Sequence, residues 1–482
     1  MTFASAGFYD YHVLHETTDT RSPAKRFYEV KSIYEKVVAI SSARYIAATM
    51  QTQGKSVPYL KIVNLLEAFH CLLHRLGRCD VSLDIPFGSE PLTYLKRRLK
   101  SIPVAVRLVR LCRAVLRRTP CFVMRFIGTI LYPILGDRGP LRGYHGNTSD
   151  YLRTGLGQYV ALTQHSDTMV PPGRFVPSLF VAVIPGARVL AENGAVISPD
   201  HRLLADVSWA GDQAASQPWA HPALRKFELP PIQHVGGRVA VINSIQAANY
   251  YHWMFDVLPR LGLLQRSGLT ADRFIISATT GFQTDTLKLL GLSDDCLFSP
   301  DASTHIRADE LVIPSLSGPV FSMSPQQHAC EYVRSAFLEK GRYRKPHRAI
   351  YITRGDATHR RVVNEVEICD DVAALGFEVV SLSGVPFSKQ VEMFAEAKII
   401  VGPHGAGFTN AVFCEPGTVL IEFMPTGRII DCFERLARIG GLTYHSLVCA
   451  EIDTGGGPVT NDHVVDRSAL RDLIARYVPG SG

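Results

Sequence analysis

Apolar and polar positions alternate with two distinct periods from about residue 326 to the C-terminus. Short apolar runs predict buried strands, and apolar residues that recur every three to four positions predict amphipathic helices. The predicted strands are 349–353, 378–381, 399–401 and 419–423, and the predicted helices are 326–340, 364–375, 387–397, 431–439 and 467–477. A glycine-rich turn and a short helix are predicted at 402–414. Because parallel strands are joined by right-handed helical crossovers, this order predicts a doubly wound α/β sheet.

The region from about 150 to 325 shows a less regular alternation of the same kind. Residues 187–198 predict a hairpin that turns at Asn193-Gly194, a dipeptide typical of two-residue hairpin loops. Further strands are predicted at 239–243, 274–277 and 311–314, and helices at 250–266 and 284–290. Two successive Rossmann-like domains are therefore expected, with a ligand cleft between them at the carboxyl ends of the strands.

The first 145 residues look helical and basic, and they differ from both later regions. Between Lys96 and Arg125 there are ten basic residues and no acidic one, although the net charge of the chain is only +7. This basic segment, 96–125, predicts either an interfacial helix on an anionic membrane or a solvated helix packed on the core. Nucleic-acid binding is disfavoured, because aromatic residues are not interleaved with its arginines.

The chain is therefore expected to divide into four parts. They are a helical basic region at 1–145, Rossmann-like domains at 150–325 and 326–460, and a C-terminal helix within 461–482. A composition of 46% apolar and 20% charged residues excludes disordered and fibrous classes. The first residues lack a secretory pattern and no apolar stretch reaches a membrane span, which predicts a cytoplasmic protein or one peripheral on the inner membrane face. Ten scattered cysteines predict reduced thiols.

The sequence VGPHGAGFTN at 401–410 follows a predicted strand and begins a short predicted helix. Its glycines let main-chain N–H groups approach a ligand closely, and a helix N-terminus offers unpaired donors to an anion. His404 adds a donor for a phosphate oxygen. The alternative is a tight structural turn that His404 caps.

Arg354 follows the first predicted strand of the third region, and Arg360 and Arg361 follow in the same loop. Open α/β sheets bind ligands at these strand ends, and arginine suits bidentate recognition of phosphate. The alternative is a solvated loop in which Asn364 caps the next helix, with Glu367 as its capping-box partner.

Two carboxylates and a histidine are further candidates. His252 and Asp256 are four residues apart and share one helix face, where either side chain could act as a general base oriented by the other. The alternative is a hydrogen bond that only braces the helix. Glu422, at the end of a predicted strand, could accept from ribose hydroxyls or could be an exposed strand terminus.

Taken in order, these motifs resemble glycosyltransferase family 61. The resemblance rests on YYHWMFDVLPRL at 250–261, YITR at 351–354 with Arg361 and Asn364-Glu365, FSKQ at 387–390, VGPHGAGFTN at 401–410, and residues 419–425. It implies a GT-B fold and an inverting, generally metal-independent glycosyltransferase that uses a nucleotide-sugar donor. It also implies a bacterial enzyme of capsular or exopolysaccharide synthesis, with a glycan or lipid-linked acceptor.

By position, the resemblance implies which residues bind the donor diphosphate. They are Arg354, with Arg360 or Arg361 assisting, and the turn residues His404, Gly405, Ala406, Gly407, Thr409 and Asn410. Asp256 is implied as the base or as its orienter, with His252 as the rival. The chain contains no Asp-x-Asp, so no metal–diphosphate bridge and no cofactor besides the nucleotide sugar is expected.

Two other functions fit parts of the pattern. A non-catalytic nucleotide-sugar or polysaccharide-binding protein could use the same scaffold, because a fold does not fix a function. An NAD-type oxidoreductase is disfavoured, because the turn at 402–407 lacks the G-x-G-x-x-G spacing of dinucleotide folds.

Overall fold

The computed structural model describes most of the chain from residue 135 onward. The described residues are 128–129, 132, 135–163, 178–190, 194–208, 220–244, 246–318, 325–339, 341–427, 430–455 and 460–478. They lie within one compact unit, Cys112–Gly482. The basic segment 96–125 and nearly all of 1–145 lie outside the described residues. Within the described ranges, no helix is long and apolar enough to cross a bilayer.

Ten strands of the described chain form the first sheet. They are β1 (Tyr144–His145), β2 (Gln158–Leu162), β3 (Leu179–Pro185), β4 (Arg188–Leu190), β5 (Ala195–Ile197), β6 (Leu203–Leu204), β7 (Gln233–Val241), β8 (Arg273–Ile275), β9 (Leu297–Phe298) and β10 (His305–Pro314). Their order is β1-β6-β5-β4-β10-β7-β8-β9, and β3 joins β2 to β10.

Only part of this sheet has the predicted parallel character. β10, β7, β8 and β9 are parallel neighbours, as a Rossmann-like half requires. β3 and β4 run antiparallel to β10, and β4 pairs with β5 as the hairpin predicted over 187–198. The parallel α/β prediction for 150–325 is thus confirmed only for residues 233–314, and the antiparallel strands before them extend the sheet.

Nine α-helices and several 3₁₀ turns accompany the strands in the described residues. The α-helices are α1 (Thr148–Leu152), α2 (Tyr250–His252), α3 (Leu258–Ser267), α4 (Gly281–Leu289), α5 (Gln327–Phe337), α6 (Glu365–Ala374), α7 (Phe387–Ala395), α8 (Cys432–Gly440) and α9 (Arg467–Ala475). The 3₁₀ turns are Gly136–Arg138, Ala205–Val207, Pro222–Arg225, Asp294–Cys296 and Ala406–Phe413.

The second sheet matches the predicted doubly wound pattern more closely. Its strands are β11 (Arg348–Ile352), β12 (Glu378–Val380), β13 (Ala397–Pro403), β14 (Val419–Pro425), β15 (Thr443–Ile452) and β16 (Asp462–Val464), in the order β12-β11-β13-β14-β15-β16. The first five are parallel, and β16 is antiparallel to β15. The four predicted strands are confirmed. β15 and β16 were not predicted. β15 is largely solvent-accessible and so lacks a continuous apolar run, and β16 begins with the polar residues Asp462 and His463.

The predicted helix over 250–266 is interrupted at its centre. Residues Trp253–Val257 form a π turn between α2 and α3, in which the N–H of Leu258 donates to the carbonyl of Trp253. Pro259 lies at the start of α3 and has no N–H to donate to the carbonyl four residues earlier, where its ring would also clash. A widened turn removes that clash, and such π segments are frequent at functional sites.

One apolar core connects the two sheets. Val312 of the first sheet and Ile400 of the second belong to the same cluster of buried side chains. Helices α3, α5, α7 and α8 contribute Leu261, Val333, Phe394 and Leu436 to this cluster. The buried side chains of the π turn, among them Trp253, belong to the same cluster and so pack in the core that both sheets share.

Candidate active site

The glycine-containing turn and Arg354 meet at the carboxyl edge of the second sheet. β11 and β13 are adjacent and parallel, so the segments that follow them leave the same edge. A Cβ placed on Gly405 would lie 2.3 Å from Nη1 of Arg354, which puts the guanidinium directly against the main chain of the turn. The 3₁₀ turn begins at Ala406, and main-chain N–H groups in a first helical turn have no partner within the helix. The Arg354 guanidinium and the main-chain N–H groups of the turn thus lie close together at this edge of the sheet.

The Arg354 side chain is partly buried and only partly hydrogen-bonded. Its main-chain N–H donates to Oε1 of Glu365 over 2.9 Å, and Nη2 donates to the carbonyl of His359 over 3.1 Å. Its Nε is buried and has no partner among the described residues. Burial lowers the pKa of the guanidinium. The nearby carboxylates of Asp356 and Glu365 raise this pKa, but the effect of burial is larger. Arginine remains charged in proteins, so this desolvated cation is prepared for an anion.

Beneath the turn, a buried carboxylate holds His404. Nδ1 of His404 lies 2.5 Å from Oε1 of Glu422, and the hydroxyl of Tyr444 donates to Oε2 of Glu422 over 2.6 Å. Glu422 is fully buried in the middle of β14, so the predicted position at an exposed strand end is wrong. Both of its oxygens are therefore occupied by protein partners, and its evident role is to fix the orientation of His404. The ribose contact expected for Glu422 stays a prediction that this arrangement does not favour.

Asn410 links the turn to two helices. Its Oδ1 accepts from the hydroxyl of Tyr250 over 2.5 Å, and its Nδ2 donates to Oε1 of Gln390 over 2.8 Å. Both ends of the amide are thus used inside the protein, so Asn410 positions the turn against α2 and α7. The neighbouring Thr409 is fully buried, and its hydroxyl has no partner among the described residues.

His252 and Asp256 form the predicted pair. Nδ1 of His252 lies 2.6 Å from Oδ2 of Asp256. The two side chains differ in exposure: 41% of the Asp256 side chain is accessible, against 7% for His252. Asp256 belongs to the π turn, and the hydroxyl of Ser317 donates to its main-chain carbonyl. Asp256 is therefore the member of the pair that an external hydroxyl can reach.

Packing places this pair beside the turn. The ring of Phe433 in α8 lies 5.9 Å from the ring of Tyr251 and 5.4 Å from that of His404, measured between centroids. It also lies 5.6 Å from Phe408 within the turn. One aromatic side chain thus packs α2, which leads directly into the π turn with Asp256, against the segment that carries the proposed anion-binding groups.

The two arginines after Arg354 have different environments. Arg361 forms an ion pair with Asp462 at the start of β16, in which Nε and Nη2 both donate to Oδ2, over 3.1 and 3.0 Å. Its guanidinium is therefore committed to holding the loop on β16. Arg360 has a φ of 54°, a left-handed conformation that non-glycine residues rarely adopt and that is often found at functional sites. Diphosphate binding by either arginine stays a prediction.

The capping box predicted at Asn364 is wrong. The Asn364 side chain makes no cap hydrogen bond to α6. Instead its Nδ2 donates to the carbonyl of Val465 and its Oδ1 accepts from the N–H of Val465. The long-range pairing with the segment after β16 is stronger than the local cap, because it satisfies two main-chain groups of a strand end at once.

Several supporting residues escaped the sequence analysis. Arg334 of α5 donates to the carbonyl of Cys414 over 2.7 Å and also to that of Val412, which caps the C-terminal end of the 3₁₀ turn. Arg260 is fully buried and donates to the carbonyls of Ile242, Asn243 and Pro314. It therefore ties α3 to the ends of β7 and β10. For Arg260, the only indication in the sequence of such a role was a basic residue within a largely apolar stretch.

Comparison with known proteins agrees with this arrangement. The family model Glycosyltransferase 61 matches residues 250–421. The Beta-1,2-xylosyltransferase of Arabidopsis thaliana is 28% identical over 106 residues, which cover 19% of this chain and 20% of that protein. The aligned part thus spans about a fifth of the length of that relative. The matched residues include the His252–Asp256 pair, Arg354 and the turn at 404–410. The segment 250–421 therefore matches glycosyltransferase family 61, in agreement with the resemblance found in the motifs.

Proposed function

We propose that this protein is an inverting glycosyltransferase that transfers a sugar from a nucleotide-sugar donor to a glycan or lipid-linked acceptor. The observation that carries the proposal is the contact between the Arg354 guanidinium and the main chain of Gly405. Phe433 packs this turn against the segment that leads to the exposed Asp256. The match of residues 250–421 to glycosyltransferase family 61 gives this geometry its chemical class.

The donor diphosphate would bind where Arg354 meets the turn. In a displacement at the anomeric carbon, the bond from that carbon to the diphosphate oxygen breaks, and the electron pair stays on the diphosphate. Positive charge and N–H donors that are fixed before the reaction stabilise this developing charge without reorganisation. Arg354, the main-chain N–H groups at Ala406 and Gly407, and the oriented His404 supply such groups.

Asp256 is proposed as the general base and His252 as the residue that orients it. The acceptor hydroxyl loses its proton to the Asp256 carboxylate as its oxygen attacks the anomeric carbon from the face opposite the diphosphate. The greater exposure of the Asp256 side chain supports this choice over His252, whose imidazole is buried. A base of this kind contributes roughly 10²–10⁴-fold to the rate.

The charge on the leaving group is proposed to be met by protein groups and not by a divalent cation. The observation that supports this is the guanidinium of Arg354, which provides a partly buried cation at the turn. Transfer measured with and without a chelator tests this part of the proposal. Activity that disappears with chelation and returns with Mg²⁺ or Mn²⁺ would contradict it.

The decisive experiment separates donor binding from chemistry. Nucleotide sugars would first be screened by thermal shift, beginning with xylosyl donors because the similar plant protein is a xylosyltransferase. Ligand at 100 times its Kd should stabilise the protein by about 2.7 kcal/mol. Arg354→Ala is expected to abolish this shift, whereas Asp256→Asn should keep it.

Turnover then distinguishes an enzyme from a binding protein. Release of labelled sugar to water or acceptor should be measurable in the native protein and should fall roughly 10²–10⁴-fold in Asp256→Asn. A donor that binds tightly and is never transferred or hydrolysed would show a non-catalytic binding protein. Near-normal turnover in both Asp256→Asn and His252→Ala would remove the proposed base.

A further inference from the structure

A buried histidine without hydrogen-bond partners lies beside Arg354. His463 is 1% exposed in β16, and neither Nδ1 nor Nε2 has a partner among the described residues. A neutral imidazole has one donor and one acceptor, and burying both without partners is costly. His463 lies outside the segment matched by the family model, which ends at residue 421. Neither the motifs nor that match therefore draws attention to it.

The main chain fixes His463 against the loop that carries the arginines. Its N–H donates to the carbonyl of Arg361 over 3.0 Å, and its carbonyl accepts from the N–H of Val363 over 2.9 Å. The N–H of Arg360 donates in turn to the carbonyl of Thr460, just before β16. β16 and the loop after β11 therefore form one unit at the edge of the sheet where Arg354 lies.

The charged groups around His463 come both from the arginine-containing loop and from β15 and β16. Burial and the positive charges of Arg354 and Arg360 lower the pKa of His463 to about 4, although the carboxylates of Asp462 and Glu451 raise it. The imidazole is therefore neutral at pH 7. An unpaired polar ring near two guanidinium groups is the arrangement expected of a site that an anion completes.

We propose that His463 is a ligand of the donor diphosphate and binds a phosphate oxygen together with Arg354. This inference rests on the proposed function and adds a residue from the C-terminal part of the chain to that site. A phosphate that offsets the two guanidinium charges would favour the protonated ring. Binding would then be coupled to proton uptake, and affinity would weaken as the pH rises through the pKa of the ring in the complex.

Isothermal titration with inorganic pyrophosphate and with uridine, guanosine and cytidine diphosphates tests this inference. His463→Phe removes both nitrogen atoms and is expected to weaken binding roughly 10- to 150-fold, the effect of losing one hydrogen bond to a charged group. His463→Asn and His463→Gln each retain an N–H near one ring nitrogen, so one of them should restore part of the affinity.

His221 offers a matched control. It is also 1% exposed, its Nε2 is also buried without a partner among the described residues, and burial lowers its pKa to about 4 as well. It precedes the 3₁₀ turn Pro222–Arg225 in the half that carries the first sheet, and no arginine acts on its pKa. His221→Asn should therefore leave diphosphate affinity unchanged.

A measurement on the native protein avoids any dependence on how the variants fold. In ¹⁵N-histidine NMR spectra, pyrophosphate should shift the ring signals of His463 and raise its pKa above about 4, while the His221 signals stay unchanged. Binding by the native protein with unshifted His463 signals would overturn the role of His463 and leave the proposed function intact. Failure of the native protein to bind any diphosphate would overturn both.

Discussion

Gly405→Ala isolates the contact between the turn and Arg354. The backbone does not require glycine here, because the φ of Gly405 is 176°, an extended value that any residue adopts. The only obstacle to alanine is the clash between its methyl group and the Arg354 side chain. A Cβ at this position would lie 2.3 Å from Nη1 of Arg354, whereas its next neighbours, Cζ of Arg354 and the carbonyl oxygen of Pro403, are at 3.6 and 3.8 Å.

The size of the effect follows from these distances. Ordinary van der Waals contact begins at 3.4 Å, so the end of the guanidinium must withdraw by about 1 Å. The end of a flexible side chain can move at little cost, and the free energy of unfolding should therefore change by less than about 1 kcal/mol. A hydrogen bond to a charged group contributes about 1.5–3 kcal/mol, so losing it should weaken diphosphate binding roughly 10- to 150-fold.

A double-mutant cycle checks the cause. Affinity for the donor, or for its nucleoside diphosphate, would be measured by titration in the native protein, Gly405→Ala, Arg354→Ala and the double variant. If Gly405→Ala acts by displacing Arg354, it should add almost nothing once Arg354 is absent. Gly281→Ala serves as a control, because a Cβ there has no neighbour within 4 Å.

Two outcomes would refute this reasoning. Native affinity in Gly405→Ala would mean that the Arg354 guanidinium does not contact the diphosphate from its place against the turn. An equal loss from Gly405→Ala in the presence and absence of Arg354 would mean that the substitution disturbs the main-chain donors of the turn and not the guanidinium.

Three further predictions concern the support of the site and the stability of the second sheet. Glu422→Ala leaves the hydroxyl of the half-buried Tyr444 and Nδ1 of the buried His404 without their acceptor, so urea denaturation should show a loss of about 1–3 kcal/mol for each group. Phe433→Ala removes a ring that is 2% exposed, and it should cost about 3–5 kcal/mol in the same assay. Hydrogen bonds from arginines of α9 lower the pKa of Asp371 to about 2, so its contribution to stability is present above the unfolded pKa of 3.8 and is lost as the pH falls toward 2. Asp371→Asn should therefore lower the Tm at pH 7, and a difference that does not shrink between pH 4 and pH 2 would contradict this assignment.

The sequence predicted the central strands of the second sheet well because they are buried on both faces. β11, β13 and β14 are almost fully buried, so each appears as a continuous apolar run bounded by polar residues. β15 was missed because its burial is partial, and β16 because its buried residues, Asp462 and His463, are polar. Local pattern carries little information about such strands. The antiparallel strands of the first sheet pair over long sequence separations, which no local period encodes.

The candidate residues were identifiable from their chemistry, but their separate roles were not. His404, Asn410 and Glu422 all looked like ligand-binding groups in the sequence. In the folded chain, Asn410 has both polar ends taken by Tyr250 and Gln390, and Glu422 is fully buried beneath His404. Such assignments depend on partners that come from distant parts of the chain.

The sequence by itself determined the chemical types and the order of the motifs: a strand followed by Arg354, a strand followed by the glycine turn, and a helix with His252 and Asp256. Each of these features is encoded by neighbouring residues. Glycines mark the turn, and a run of apolar residues marks the buried strand that ends before it. Only the tertiary structure decided that the guanidinium contacts Gly405, that Asp256 is exposed while His252 is buried, and that His463 joins the same edge. The physical reason is that the core shared by both sheets sets these distances, and that core is assembled from apolar residues far apart in the chain.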